Sequence, residues 1–243
     1  MRNKFLSFFI YLLISKLFFL NASGTEQFNF DISEIEILEN GNIIKGVKKG
    51  TVNTNDGIVI TADTFIYNKL LNILSAEGNV KIKDANKSLE IYSDNIIYDK
   101  SKEFINTNKN SKAIYEKGKF IIADSFKLDR NKNILNAYGD VKIKDTLNDY
   151  LITGNDFTYF KDSELIITKG KTLAFLQSKY KITSEDVTYS INENNLSSIK
   201  KTKIEDNDSQ VYFTENFNYS INREIFKGEK ILIITNYNLP KSD

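Results

Sequence analysis

The chain has 243 residues and a formal net charge of +1, with 33 Lys and Arg against 32 Asp and Glu. That balance gives no bulk electrostatic pull toward nucleic acid, so none is expected as a partner. It contains no Cys and no His, which excludes disulfides, thiol catalysis and a lipidated N-terminal cysteine, and removes the commonest general base and metal ligand.

Residues 1–24 read MRNKFLSFFIYLLISKLFFLNASG. Arg2 and Lys4 form a basic start, an apolar run follows, and Ala22-Ser23-Gly24 is a small-x-small cleavage signal. This pattern reads as a secretory signal peptide cleaved after Gly24, with Lys16 interrupting the run and arguing against a permanent span. Residues 25–57 form a weaker unit, with Ile35 and Ile37 alternating before Gly46-Val47 and Gly50-Thr51-Val52. It reads as a degenerate capping repeat, since terminal repeats are usually atypical.

From 58 to 235 the chain repeats itself. Ile58, Ile60 and Ala62 are apolar on even numbers; after Asp63 the apolar residues fall on odd ones, Phe65 and Tyr67. Alternation marks a half-buried strand, and a one-residue slip would turn the apolar set to water unless the backbone bends or bulges there. Ala62-Asp63 is therefore expected to be a corner. The small residue recurs as Ser93, Ala123, Gly154, Ser184 and Thr214, at spacings of 31, 30, 31, 30 and 30. Beside it stand Asp63, Asp94, Asp124, Asn155, Glu185 and Glu215. Three after it come Phe65, Ile96, Phe126, Phe157, Val187 and Phe217; five after it come Tyr67, Tyr98, Leu128, Tyr159, Tyr189 and Tyr219. Two before it lie Ile60, Ile91, Ile121, Ile152, Ile182 and Tyr212. A fixed period of this length signals a stacked repeat architecture.

Each unit has a second alternating stretch, such as Gly78-Asn79-Val80-Lys81-Ile82 and Gly139-Asp140-Val141-Lys142-Ile143. These stretches begin 16 residues past the corner, where Gly170 also falls and where Lys109, Lys200 and Lys230 stand in the other units. Two strands per unit over seven units predict on the order of 14 strands, separated by Asn-, Lys- and Asp-rich turns. No helical spacing is sustained beyond the leader, and Pro240 is the single proline, as pairing strands require. The fold class is all-β. Residues 236–243 read as a tail or the start of a further connection.

Recurrent carboxylates invite a glycosidase reading, but a catalytic pair occurs once per site, whereas here an acid or amide sits at every corner. Turn chemistry accounts for that recurrence, so no catalysis and no cofactor are expected. The aromatic columns could stack bases, but that needs a basic groove. A buried column or an apolar groove fits them better, and periodicity alone leaves both open.

The stretch TADTFIYNKLLNILSAEGNVKIKD, echoed by FIIADSFKLDRNKNILNAYGDVKIK at 120–144, resembles the OstA-like repeat of the lipopolysaccharide-transport family, which includes LptA and the N-terminal periplasmic domain of LptD. The resemblance covers about 28–235. It implies an elongated β-jellyroll of stacked antiparallel strands whose apolar interior holds the lipid A acyl chains of lipopolysaccharide. It also implies a location in the periplasm at the outer membrane, end-to-end strand addition to other transport proteins, and delivery to an outer-membrane barrel component. On that basis the Ile column before the corner, with Tyr212, and the two columns after it are the expected lipid lining. A structural or carbohydrate-active β-solenoid without lipid transport is the competing expectation.

Overall fold

The computed structural model describes residues 27–235 apart from 85 and 87; the leader at 1–24 and the tail at 236–243 lie outside the described residues. Its 22 strands are the pieces of fourteen consecutive rungs, each bent once. Ile58–Ala62 turns at Asp63 into Thr64–Asn68, whereas Ile73–Asp84 passes the bend as one strand. Every pairing is antiparallel and joins neighbours in the chain. One face runs unbroken from Asn29–Ile32 to the end of Ile225–Ile234. The other runs from Ile35–Leu38 to the start of Ile225–Ile234. The result is an elongated β-jellyroll, V-shaped in section, with the corners along the apex and the hairpin tips along two lips.

The corner works through side-chain parity. Ile58, Ile60 and Ala62 are buried, then Phe65 and Tyr67, with Asp63 absorbing the slip. The Asp63 N–H donates to the Gly78 carbonyl at 2.9 Å, and Asp124 does the same to Gly139 at 2.9 Å. Across each such bend the ladder shifts register, between Glu77 and Val80 and between Tyr138 and Val141. The two residues absorbing the shift are left-handed: Gly78 and Asn79 in one, Gly139 and Asp140 in the other. Lys109 and Lys230, which replace the glycine, also take positive φ.

The small residue points inward and its acidic neighbour outward. Ala62, Ser93, Ala123, Ser184 and Thr214 are buried, and Gly154 is half-buried. Asp63 accepts from Asn79 Nδ2 and Asp94 from Asn110 Nδ2, both at 2.7 Å. Glu215 pairs with Lys230, while Asn155 and Glu185 are exposed. In the fifth unit Asp186 takes the part Asp63 plays in the first: its N–H donates to the Gly170 carbonyl and its carboxylate accepts the Gly170 N–H at 2.8 Å. Buried hydroxyls satisfy backbone groups that the bends release. Thr107 accepts from the Phe126 N–H and Thr168 from the Val187 N–H, both at 2.8 Å.

Glycine is needed at 139 for two reasons. Its φ is +74°, and a Cβ there would lie 2.2 Å from Asp124 Oδ2. Gly139→Ala is expected to destabilise the protein by about 1–2 kcal/mol in urea titrations, with Asp124→Ala recovering only the steric part. An unchanged midpoint would show that the bend is not under this constraint.

Candidate functional site: an apolar interior and its mouth

Five inward rows run parallel to the long axis; three hold the expected lining, while on the first face the row at the apex carries Ser93, Ser111, Thr172 and Ser184 and the row at the mouth carries Asp84 and Asp145. On the first face the middle row runs Val52, Ile60, Ile82, Ile91, Ala113, Ile121 and Ile143. It continues through Ile152, Ala174, Ile182 and Ile204 to Tyr212. The expected Ile column thus supplies every second member.

On the second face, the row nearer the apex alternates large with small. Phe65, Ile96, Phe126, Phe157, Val187 and Phe217 alternate with Ala76, Thr107, Ala137, Thr168 and Ser198, paired directly in several places. The row nearer the mouth places an aliphatic side chain beside each aromatic: Tyr67–Leu74–Tyr98–Ile105–Leu128–Leu135–Tyr159, then Ile166–Tyr189–Leu196–Tyr219–Phe226. The small and aliphatic columns of the even rungs escaped the reading of the sequence. They were detectable, because Leu74, Ile105, Leu135, Ile166 and Leu196 recur with the same period at a different offset.

All expected lining residues except Tyr212 are buried, none more than 7% exposed. The interior is closed by its own side chains. Tyr212 is half-buried beside a cavity of about 270 Å³ at the C-terminal end, lined also by Tyr180, Ile204, Phe226 and Ile231.

Phe stands near the apex and Tyr near the mouth for a physical reason. A buried phenol needs a hydrogen-bond partner, and the mouth supplies it. Tyr67 donates to Asn72 at 3.0 Å and Tyr98 to Glu103 at 2.7 Å, in each case the left-handed residue of the next hairpin. Tyr189 meets the hydroxyl of Tyr150, and Tyr219 donates to Gln177 at 3.4 Å, both from the opposite lip.

Side chains also clasp the lips. Arg130, on the second lip, binds Asp56 and Asp84 of the first at 2.7 and 3.3 Å, and pairs with Glu103 on its own side. Lys100 adds a second bridge to Asp56 at 3.0 Å. Burial pushes the Asp56 carboxyl up, but hydrogen bonds from Thr54, Arg130 and Lys100 prevail and hold it well below the usual carboxylate range. Further along, Lys179 meets Glu224 at 2.8 Å on an exposed rim. The described residues contain no cluster of acidic, His or Cys side chains able to hold a metal.

No protein-family profile matches the chain. No curated protein matches it either. Among solved structures, LptH from Pseudomonas aeruginosa, described as the LptA homologous periplasmic component of the conserved lipopolysaccharide transport device, is similar to this chain with a TM-score of 0.41. The identity is 17%, over 46% of this chain and 82% of that one.

Burial raises the Tyr159, Tyr189 and Tyr219 hydroxyls to about 12, against about 10 in an unfolded chain. Below pH 10 both states are protonated and these groups leave stability unchanged. Between 10 and 12 the unfolded chain loses protons first, so stability falls as pH rises. Absorbance at 295 nm should show these tyrosines ionising only together with unfolding. Replacing Tyr159, Tyr189 or Tyr219 by Phe should leave the absorbance change of the folded protein near pH 10 unaltered; a smaller change in a variant would contradict the burial of that residue.

Proposed function

We propose that this chain is a non-enzymatic periplasmic scaffold that carries lipopolysaccharide, shielding the acyl chains between its two faces while the sugar headgroup stays outside the mouth. One observation carries this reading: the rows of expected lining residues run the length of the molecule, apolar apart from the small hydroxyl residues Thr107, Thr168 and Ser198, and the phenol hydroxyls turn toward one continuous mouth. The pattern is amphipathic in the sense the cargo is. At roughly 0.8 kcal/mol per methylene, an acyl chain of a dozen carbons is expelled from water by on the order of 10 kcal/mol. A row of similar side chains offers it equivalent positions along the axis, which suits passage better than a single tight pocket.

Admission of a chain requires the closed interior to open. Side chains, including the Arg130 clasp and the tyrosine contacts, hold the mouth, so parting the lips leaves the ladders of both faces intact. Packing is already incomplete at the 270 Å³ cavity near Tyr212.

The terminal rungs suit end-to-end strand addition to other transport proteins. Ile35 and Ile37 are exposed at one end, and Ile231, Leu232 and Ile233 at the other. The signal peptide expected at 1–24 suits export to the periplasm, and the exposed terminal rungs suit a bridge toward an outer-membrane barrel component. The deep burial of the rows would equally suit a repeat protein with a permanently filled core. Photocrosslinkers separate the two readings. Placed at Phe126, Phe157 and Tyr159 they should capture lipopolysaccharide, while at the outward Lys127 and Thr158 they should not. Equal capture by both sets, or none, would defeat the carrier reading.

A further inference from the structure

The outsides of the two faces differ in charge. On the first face Lys81, Lys112, Lys142 and Lys203 share one outward row, and Lys83, Lys144 and Lys181 share the next. Glu90 stands at one end of this block and Glu205 at the other, each met by two lysines at 3.0–3.4 Å. Between them lie six rungs, from Ser111–Glu116 to Tyr180–Glu185, and there no described residue of either row is acidic. Lys112, Lys142, Lys144 and Lys181 give that stretch its charge. On the outside of the second face, the corresponding rows of the same six rungs carry one lysine and one aspartate, Lys127 and Asp129.

The positions between the lysines are apolar. Ile114, Phe120, Leu151 and Phe175 occupy one row, Ile122 and Leu173 the other, and Phe175 is 40% exposed. The Lys112 ammonium lies over the Phe120 ring at 4.4 Å. Neither Lys112 nor Lys144 has a carboxylate partner among the described residues. Glu116 at the lip and Asp140 at the bend stand off the rows and pair with Lys119 and Lys142. Six rungs span about 24 Å at the usual interstrand spacing, an extent suited to a surface rather than to a small ligand.

We infer that the outside of the first face docks on the surface of an anionic phospholipid bilayer. Lysine stems lie along apolar neighbours and carry the charge outward. Headgroup phosphates would meet the ammonium groups while the apolar side chains between them reach toward the acyl boundary, the two contributions that bind amphipathic surfaces to anionic membranes. All seven cations are lysines, point charges that suit a diffuse anionic surface; none is the planar arginine fork that grips a single phosphate or carboxylate. This face is separate from the interior, so the inference stands or falls independently of the carrier reading.

The chain contains no Trp, so one introduced tryptophan reports contact. Phe175→Trp on the first face and Thr158→Trp on the second are mixed with vesicles of phosphatidylglycerol or of phosphatidylcholine. Phosphatidylglycerol should shift the emission of Phe175→Trp to the blue and leave Thr158→Trp unchanged, and phosphatidylcholine should shift neither. In vesicle sedimentation, Lys112→Gln and Lys144→Gln should each weaken binding to phosphatidylglycerol about five-fold. Both side chains point outward without an ion pair, so the variants should unfold at the parent's urea midpoint. No binding to phosphatidylglycerol would overturn the inference, as would equal shifts from the two tryptophans or binding unaltered in both lysine variants. Single-stranded DNA that strips the protein from the vesicles at equal charge concentration would assign the face to nucleic acid and overturn it too.

Discussion

The structure depends on one constraint: a strand that buries side chains on both arms of a V must exchange its inward parity at the bend. A regular strand cannot do this, because its side chains alternate strictly between faces. Here the exchange takes place at Asp63 and its counterparts. The opposing residues, Gly78 and Asn79 among them, adopt left-handed backbone to absorb the extra length. Buried hydroxyls such as Thr107 and Thr168 close the hydrogen bonds that the bend opens. Once the bend is fixed, each rung presents its apolar residues to the same interior, and stacking lines them up into rows.

The chemistry of those rows is graded from apex to mouth. Phe65, Phe126 and Phe217 lie deep and carry no polar atom, with small residues such as Ala76 beside them to make room for the rings. Tyr67, Tyr98, Tyr189 and Tyr219 lie further out, where the hydroxyl reaches a hairpin residue or the opposite lip. Arg130 is the counterpart of this gradient in charge. The described residues hold only one other arginine, Arg223, and Arg130 is where a planar guanidinium engages carboxylates on both lips through a fork of donors, beside Lys100, whose single ammonium also meets Asp56 and Glu103. It draws Asp84 away from the turn role kept by Asp145 and Asp206, and that diversion leaves Asp84 Oδ1 buried without a hydrogen-bond partner among the described residues.

Much of this was legible before any coordinates. The parity slip at Ala62-Asp63 is visible as a switch from even to odd apolar positions, and the period gives the number of rungs. The expectation of about 14 strands corresponds to the fourteen bent rungs, although most are divided at the corner. The even-rung columns were overlooked because their members are chemically plain: Leu74 and Ala76 do not stand out as an aromatic column does. The clasp was not readable at all. Arg130, Asp56 and Asp84 are brought together from hairpins up to 74 residues apart, and each occurs once in that role, so no periodicity marks them. The bulge at Tyr115 is likewise a local departure from the repeat, and recurrence does not mark it.

The account turns on a closed interior whose lips part to receive an aliphatic chain. The absence of native cysteine makes this directly measurable, since spin labels can be placed at Leu147→Cys on one lip and Asp162→Cys on the other without background. Pulsed electron–electron resonance with and without bound lipopolysaccharide should show the distance across the mouth lengthening on binding, by several ångströms for a chain about 4–5 Å thick, while a pair placed within one face stays fixed. An unchanged distance across the mouth in protein shown to hold lipid would mean that the cargo lies elsewhere and that the interior is only a core.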